Sequence, residues 1–201
     1  MAKRLVIAID CDDVLIPTTQ FLVRAYNMRY GTAVTLEKSH TPDDHMWGAA
    51  HDEVIARLAK LTQEDAYKGL KPGVIEKHIL QQLALRHELH VVTARQESER
   101  EYTETLLGRE LPGVFTSMEF LGWTGSKGEV CKAIGADILI DDNIKHLRTA
   151  RECGVQHLVW FGNYPWNRVG ESSDDSVVRC DDWTAVKEVI DEVEASMGVK
   201  A

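Results

Sequence analysis

The sequence predicts an α/β fold: a three-layer α/β/α sandwich with a central parallel sheet and a small helical cap inserted after the first strand. Two patterns lead to it. Short apolar runs alternate with amphipathic segments along most of the chain, whereas residues 17–71 show helical spacing and no clear strand. Such alternation is typical of a parallel sheet covered by helices. We therefore predict a core of residues 1–16 and 72–201 and a cap of residues 17–71.

The strands are predicted from short apolar or β-branched runs. Residues 5–9 form an uninterrupted apolar run, which is typical of a strand buried on both faces. Further strands are predicted at residues 89–93, within 114–120, and at 138–140 and 155–161. Each predicted strand is followed or preceded by a helical pattern, as a parallel sheet requires.

The helices are predicted from apolar spacing near 3.6 residues and from end signals such as Gly31 after the first helix, Ser126 before a later one and Gly135 after it. Their predicted ranges are 18–30, 50–61, 74–86, 96–108, 127–134, 143–153 and 183–196.

Composition narrows the class of protein. The chain has 201 residues, enough for one substantial domain with a small insertion, and a formal net charge of −9. No Lys/Arg cluster is present to bind a nucleic acid polymer. No apolar run is long enough for a membrane span, and the four cysteines form no Cys-x-x-Cys pair, so we expect a cytoplasmic protein with reduced thiols and no membrane partner. The sequence leaves open whether the chain forms a homodimer.

Polar side chains gather where the predicted strands end, which in an open parallel sheet is where ligands bind. Lys127 opens the helix before the strand at 138–140. The residues that follow strands are Asp10, Asp12 and Asp13 after the first, Thr93, Ala94 and Arg95 after the second, and Asp141 and Asp142 after 138–140.

This collection favours phosphate chemistry. Several neighbouring carboxylates stay ionised only near compensating positive charge, which a divalent cation with oxygen ligands supplies. Mg²⁺ is the usual choice where a substrate phosphate completes the coordination. A lysine and a threonine hydroxyl then suit a phosphoryl group. One Asp can act as nucleophile, while a second carboxyl protonates the leaving oxygen and later activates water.

The order of Asp10-Cys11-Asp12-Asp13-Val14, Thr93, Lys127 and Asp141-Asp142 resembles the four motifs of the haloacid dehalogenase superfamily. The resemblance covers residues 1–16 and 72–165 and implies a Rossmann-like core and hydrolysis of a phosphomonoester through an aspartyl-phosphate. It also implies roles. Asp10 would be the nucleophile and a metal ligand, and Asp12 the general acid/base and a ligand through its carbonyl. Thr93 and Ala94 would bind the phosphate with Lys127, and Asp142 would bind Mg²⁺ with Asp141 supporting it.

Within the superfamily the chain is most similar to the 5′(3′)-deoxyribonucleotidases, on the short helical insertion after the first motif, on 140–143 and on Trp183 in a final helix. That branch is a class of 5′-nucleotidases and implies a deoxynucleoside monophosphate as substrate. The chain departs from it twice: Asp13 stands where those enzymes typically have Gly, and Ala94-Arg95 stands where they have Ser-Pro. A different small phosphorylated metabolite therefore stays open as substrate.

Members of the same superfamily that catalyse other reactions offer alternatives to a phosphatase. Dehalogenases and phosphonate-cleaving members lack a carboxyl two residues after the nucleophile, so Asp12 argues against both, and transport ATPases have Thr there and are far longer. A non-catalytic module that binds phosphate or metal is the remaining alternative. The full set of motifs argues against it, since a binder needs no nucleophile.

Several side chains carry alternative predictions. Asp13 and Arg95 either line the site or pair with each other as a solvated salt bridge. Trp47 and Tyr67 either contact substrate or pack within the cap. His45 and its neighbours could hold a second metal, although their spacing matches no recognised ligand pattern. Residues 162–168 are turn-rich and either border the site or form a surface loop.

Overall fold

A computed structural model of the chain describes residues 4–40, 47–122, 124–167 and 176–197. His45 and Arg168 lie outside these ranges. Within the described residues the strands are β1 (Val6–Ile9), β2 (Glu88–Thr93), β3 (Phe115–Phe120), β4 (Ile138–Asp141), β5 (His157–Phe161) and β6 (Val177–Cys180). The α-helices are α1 (Thr18–Tyr30), α2 (His51–Leu61), α3 (Asp65–Lys68), α4 (Val74–Ala84), α5 (Arg100–Glu110), α6 (Lys127–Ile134), α7 (Ile144–Glu152) and α8 (Trp183–Ser196). Short 3₁₀ helices cover Glu97–Glu99 and Pro165–Asn167.

The strands form one sheet in the order β3-β2-β1-β4-β5-β6, and every pair is parallel. This confirms the predicted parallel sheet. β1 and β4 lie at its centre, and their buried, mostly aliphatic side chains are those expected of strands covered on both faces. The sequence pattern does not predict β6, because this strand is only four residues long and partly polar.

Helices cover both faces of the sheet. One hydrophobic cluster packs the sheet against α4, α5 and α8, with Leu80, Leu107 and Ile190 fully buried. The second packs the opposite face against α6 and α7 through Cys131 and Leu147. These two clusters make the three layers of the predicted sandwich.

The helical segment between β1 and α4 carries its own cluster, centred on Val23, Tyr26, Val54 and Leu61. The predicted insertion after β1 is therefore helical in the described residues. Its boundaries at 16/17 and 71/72, and its independence as a cap, stay a prediction. We call residues 17–71 the helical segment below.

The cysteines and the helix lengths can be compared with what the composition predicted. Cys11, Cys131, Cys153 and Cys180 are all free thiols. Among the described residues no helix is both long and apolar enough to cross a membrane.

Candidate active site

The sheet order places the candidate site where the chain switches from one side of β1 to the other, between β1 and β4. β1 pairs with β2 on one side and with β4 on the other, so the carboxyl ends of β1 and β4 are neighbours. The backbone N–H of Asp10 donates to the carbonyl of Ile140 at 2.9 Å, which fixes Asp10 beside the end of β4. Ligands of open α/β sheets bind at such a crevice.

A buried lysine joins two of the predicted carboxylates. Lys127 Nζ lies 2.6 Å from Asp10 Oδ1 and 2.6 Å from Asp141 Oδ2. All three side chains are buried, and Lys127 is 1% exposed. Cys11 N–H also donates to Asp10 Oδ1 at 2.7 Å, and Asn143 N–H donates to Asp141 Oδ1 at 2.9 Å. These donors hold both carboxylates in fixed orientations.

Asp142 completes the acidic cluster and is held by two indoles. Trp166 Nε1 donates to Asp142 Oδ2 at 2.9 Å, and Trp160 Nε1 donates to the Asp142 carbonyl at 2.8 Å. One ligand oxygen from each of Asp10, Asp141 and Asp142 lies within 4.8 Å of the other two. Lys127 pairs with two of these three buried carboxylates, Asp10 and Asp141, so the donor set has an excess of negative charge and fits a hard divalent cation.

The electrostatics of the cluster agree with a shortage of positive charge. Burial raises the pKa of Asp10 to about 7, against the lowering effect of Lys127. Burial and then the charges of Asp141 and Asp10 raise the pKa of Asp142 well above its usual range. Burial disfavours the charged form of Lys127, but the charges of Asp10 and Asp141 outweigh it and raise the pKa of the ammonium. A cation at the carboxylates would reverse the two carboxyl shifts.

Arg95 pairs with Asp12, so of its two predicted alternatives the solvated salt bridge with Asp13 is wrong. Arg95 Nε lies 3.0 Å from Asp12 Oδ2, and Nη2 lies 2.8 Å from Oδ1. Arg95 is 3% exposed, so the pair is buried rather than solvated on the arginine side. Burial acts to raise the pKa of Asp12, but the charge and hydrogen bonds of Arg95 outweigh it and lower that pKa.

Asp13 is turned toward α1. Its carboxylate accepts from Thr19 N–H at 3.0 Å and from the hydroxyls of Thr18 and Thr19. Its backbone has a φ of 58°, and it is the one non-glycine residue in the described chain with a positive φ. Asp13 therefore caps the first turn of α1 from the loop before it, and burial raises its pKa to about 7.

Thr93 ends β2 next to this cluster and is fully buried. Its Oγ1 accepts from the N–H of Arg95 at 3.2 Å, which tightens the turn after the strand. Ala94, half-buried, lies within that turn. Parallel pairing of β2 with β1 places Thr93 and Asp10 at the same edge of the sheet, as predicted from strand ends.

The two aromatic candidates of the helical segment occupy different places. Trp47 packs edge-on against Tyr26, with ring centroids 4.9 Å apart, inside the segment's cluster. Tyr67 is 2% exposed and lies over the Arg95 guanidinium, with the ring centroid 5.7 Å from Cζ. Of the two, Tyr67 is the one that the structure brings to the site.

The loop after β5 borders the site through residues whose contacts the sequence pattern does not predict. Tyr164 Oη donates to the Asp13 carbonyl at 2.5 Å, and its ring stacks on Trp166 at 4.5 Å between centroids. Trp166 in turn stacks on His40 of the helical segment at 4.6 Å. The turn-rich sequence of residues 162–168 predicts a loop after this strand, but it does not predict the hydrogen bonds that the loop makes.

The chain is similar to one known family over nearly its whole length. A family model described as "5' nucleotidase, deoxy (Pyrimidine), cytosolic type C protein" matches residues 4–197. A search of curated proteins gives no match.

Solved structures with the same fold cover nearly the whole chain. A haloacid dehalogenase-like family hydrolase from Xanthomonas campestris is 12% identical, with a TM-score of 0.61 and 100% of both chains covered. A haloacid dehalogenase-like protein of unknown function from Agrobacterium tumefaciens is 14% identical, with a TM-score of 0.64, covering 98% of this chain and 100% of that one. A structure described as a predicted phosphoglycolate phosphatase from Haemophilus somnus is 15% identical, with a TM-score of 0.65, covering 94% of this chain and 99% of that one. At these identities the likeness shows the fold alone.

Proposed function

The chain belongs to the cytosolic type C family of 5′ nucleotidases, deoxy (pyrimidine), and from that premise we propose that it hydrolyses a phosphomonoester with Mg²⁺ through an aspartyl-phosphate on Asp10. It is a hydrolase of the haloacid dehalogenase-like superfamily. The observation that carries the proposal is the buried cluster of Asp10, Asp141 and Asp142, two of which, Asp10 and Asp141, pair with the buried Lys127. A deoxynucleoside monophosphate is the proposed substrate, because the family description names deoxynucleotides. A cytosolic location belongs to the same proposal.

In the first proposed step a carboxylate oxygen of Asp10 attacks phosphorus and the bond from phosphorus to the leaving oxygen breaks. The electron pair of that bond passes to the leaving oxygen, which takes a proton from Asp12. Arg95 lowers the pKa of Asp12, and the negative charge of the bound phosphoryl group would oppose Arg95 and favour the protonated carboxyl that this step needs. Lys127, at 2.6 Å from Asp10, is close enough to face the phosphoryl oxygens and neutralise their charge. The Thr93 hydroxyl and the backbone at Ala94 would orient the same oxygens.

In the second step water attacks phosphorus, the bond from phosphorus to Asp10 breaks, and Asp10 regains its carboxylate. Asp12 takes a proton from the attacking water, so the two steps return Asp12 to its starting state. Asp10, Asp142 and the carbonyl of Asp12 would hold Mg²⁺, with Asp141 supporting them. When bound, Mg²⁺ supplies charge neutralisation to the carboxylates and the phosphoryl group.

Steady-state hydrolysis tests this proposal directly. We expect 4-nitrophenyl phosphate and deoxynucleoside 5′-monophosphates to be hydrolysed with Mg²⁺, and EDTA to stop the reaction. Asp10→Asn should lower kcat by at least about a thousandfold, because the amide is a poor nucleophile. Glu152→Gln, an exposed carboxylate at the end of α7, is the matched control and should keep full activity.

Two results would contradict the proposal. Full activity of Asp10→Asn would exclude the aspartyl-phosphate. No hydrolysis of any phosphomonoester by the wild type, together with Mg²⁺-dependent binding of inorganic phosphate, would favour the non-catalytic module instead. Among active substrates, a screen that favoured a non-nucleotide phosphate would keep the chemistry and replace the substrate.

A further inference from the structure

Arg95 grips the Asp12 carboxylate through both of its oxygens. Nε lies 3.0 Å from Oδ2 and Nη2 lies 2.8 Å from Oδ1, a side-on fork that engages two parallel N–H groups. Because a guanidinium and a carboxylate are both planar, this arrangement fixes the plane and rotation of the carboxylate as well as its position. A single ammonium could hold the charge but not the plane.

The guanidinium is itself braced from three sides. Its Nη1 donates to Thr103 Oγ1 at 2.9 Å, and the Thr103 hydroxyl is tied in turn to the Glu99 carbonyl at 2.7 Å. The rings of Tyr67 and Tyr102 lie 5.7 and 5.6 Å from Cζ. Since the Arg95 side chain is only 2% exposed, it has little freedom to leave this place.

Asp12 nevertheless stays accessible. Its side chain is 33% exposed while its arginine partner is buried. Of the arginine nitrogens, Oδ1 accepts from Nη2 and Nε, whereas Oδ2 accepts from Nε alone and keeps a second lone pair. Asp12 can therefore contact a substrate oxygen or a water on its exposed side while the buried Arg95 fixes its orientation.

We propose that Arg95 is a positioning residue that fixes the Asp12 carboxylate for proton transfer to the leaving oxygen. The inference rests on the proposed function, in which Asp12 is the acid that assists the leaving group. It accounts for a residue that the comparison with nucleotidases marked only as a departure, the arginine that stands where that branch has proline.

The test compares two aryl phosphates of similar shape in one enzyme preparation. The leaving oxygen of 4-nitrophenyl phosphate needs little protonation, whereas that of phenyl phosphate is far more basic and depends on the acid. The ratio of their kcat/KM values reports acid assistance, because kcat/KM reflects the step in which the leaving group departs. The ratio is also independent of the fraction of enzyme that is folded.

We expect Arg95→Met to lower kcat/KM for phenyl phosphate about tenfold more than for 4-nitrophenyl phosphate. A tenfold effect is smaller than the full contribution of a general acid, because Arg95→Met disorients Asp12 without removing it. Arg95→Lys should give the same imbalance, since it keeps the charge and loses the fork. Asp12→Asn should shift the ratio in the same direction and further.

Arg100→Met is the matched control: Arg100 is also an arginine over an aromatic ring, but its ion pairs with Glu97 and Glu104 lie on the surface. It should leave the ratio unchanged.

An unchanged ratio in both Arg95 variants, with Asp12→Asn shifted, would overturn the positioning role while leaving the phosphatase intact. A wild-type ratio in Arg95→Lys alone would show that charge suffices, and would also overturn it. If the wild type hydrolyses neither ester, the proposed function fails and the inference fails with it.

Discussion

At the scale of single residues, Asp13 shows how one position serves the backbone and a helix end together. Its φ of 58° lies in the left-handed region, where glycine is unstrained and aspartate is tolerated better than most side chains. Its carboxylate accepts from Thr19 N–H at the open end of α1, where Pro17 offers no side-chain cap. A glycine at this position would satisfy the backbone, but it could not supply the cap.

Three substitutions at Asp13 separate these contributions. We expect Asp13→Ala to lower the free energy of unfolding by about 2 kcal/mol, because it loses the cap and keeps a strained φ. Asp13→Gly should cost less, since it loses only the cap. Asp13→Asn should cost least, because the amide oxygen still accepts. Urea unfolding of the three variants checks this order. A smaller loss in Asp13→Ala than in Asp13→Gly would contradict it.

At the scale of elements, the packing of α6 on α7 determines where Lys127 lies. Gly128 follows Lys127 in the first turn of α6, and a Cβ added there would overlap the backbone carbonyl of Thr149 in α7. The absence of a side chain at Gly128 thus lets the two helices approach closely. This close approach lies next to Lys127, whose Nζ reaches Asp10 after β1 and Asp141 at the end of β4.

Gly128→Ala should therefore lower the free energy of unfolding by about 1–3 kcal/mol, the usual cost of overpacking against a backbone that moves little. Gly108→Ala is a matched control in an exposed helix interior with open space around the added methyl, and it should raise stability by about 0.5–1 kcal/mol. Thermal or urea unfolding of both variants measures the difference. Equal effects of the two alanines would show that α6 and α7 are not packed as described.

At the scale of the whole molecule, His87 links the residue before β1 to α4 and α8. The N–H of Leu5 donates to His87 Nδ1 at 3.4 Å, and Nε2 faces Glu194 Oε1 at 3.1 Å. Burial, as the largest effect, lowers the pKa of His87, opposed by Glu194. The charged groups around it are Glu194, Arg86, Arg4 and Asp191.

This shift makes stability depend on pH. Because the folded state lowers the pKa of His87 below the value near 6.5 of the unfolded state, the unfolded state binds more protons in mild acid, and the free energy of unfolding falls as pH drops through that range. His87→Gln should reduce the loss between pH 7.5 and 5.5, since the amide oxygen can still accept from Leu5. His78→Gln, an exposed histidine, is the control. An unchanged pH dependence in His87→Gln would show that His87 does not cause the loss.

Much of the fold was predictable from sequence because its signals are local. Apolar runs indicated the central strands, and Gly31, Ser126 and Gly135 marked helix ends that the structure confirms. The gathering of Asp10, Lys127 and Asp141 followed from the rule that parallel strands end at one edge. Their roles in catalysis stay a prediction.

What the sequence could not predict depends on contacts between distant residues. The partner of Arg95 is 83 positions away, and nothing local distinguishes Asp12 from Asp13 as that partner. The hydrogen bond from Trp166 to Asp142 depends on how the loop after β5 folds back. β6 is a short edge strand whose pairing with β5, rather than its own composition, makes it a strand.

The most direct test of Asp10 as the nucleophile is mass spectrometry of acid-quenched enzyme after reaction with a phosphomonoester and Mg²⁺. Asp12→Asn should accumulate one phosphoryl group, because the amide can neither protonate the leaving oxygen efficiently nor activate water. Peptide mapping should place that group on Asp10, and Asp10→Asn should show none. A phosphoryl group on another residue, or turnover by the wild type with no phosphoenzyme trapped in Asp12→Asn, would contradict the assignment of Asp10 as nucleophile.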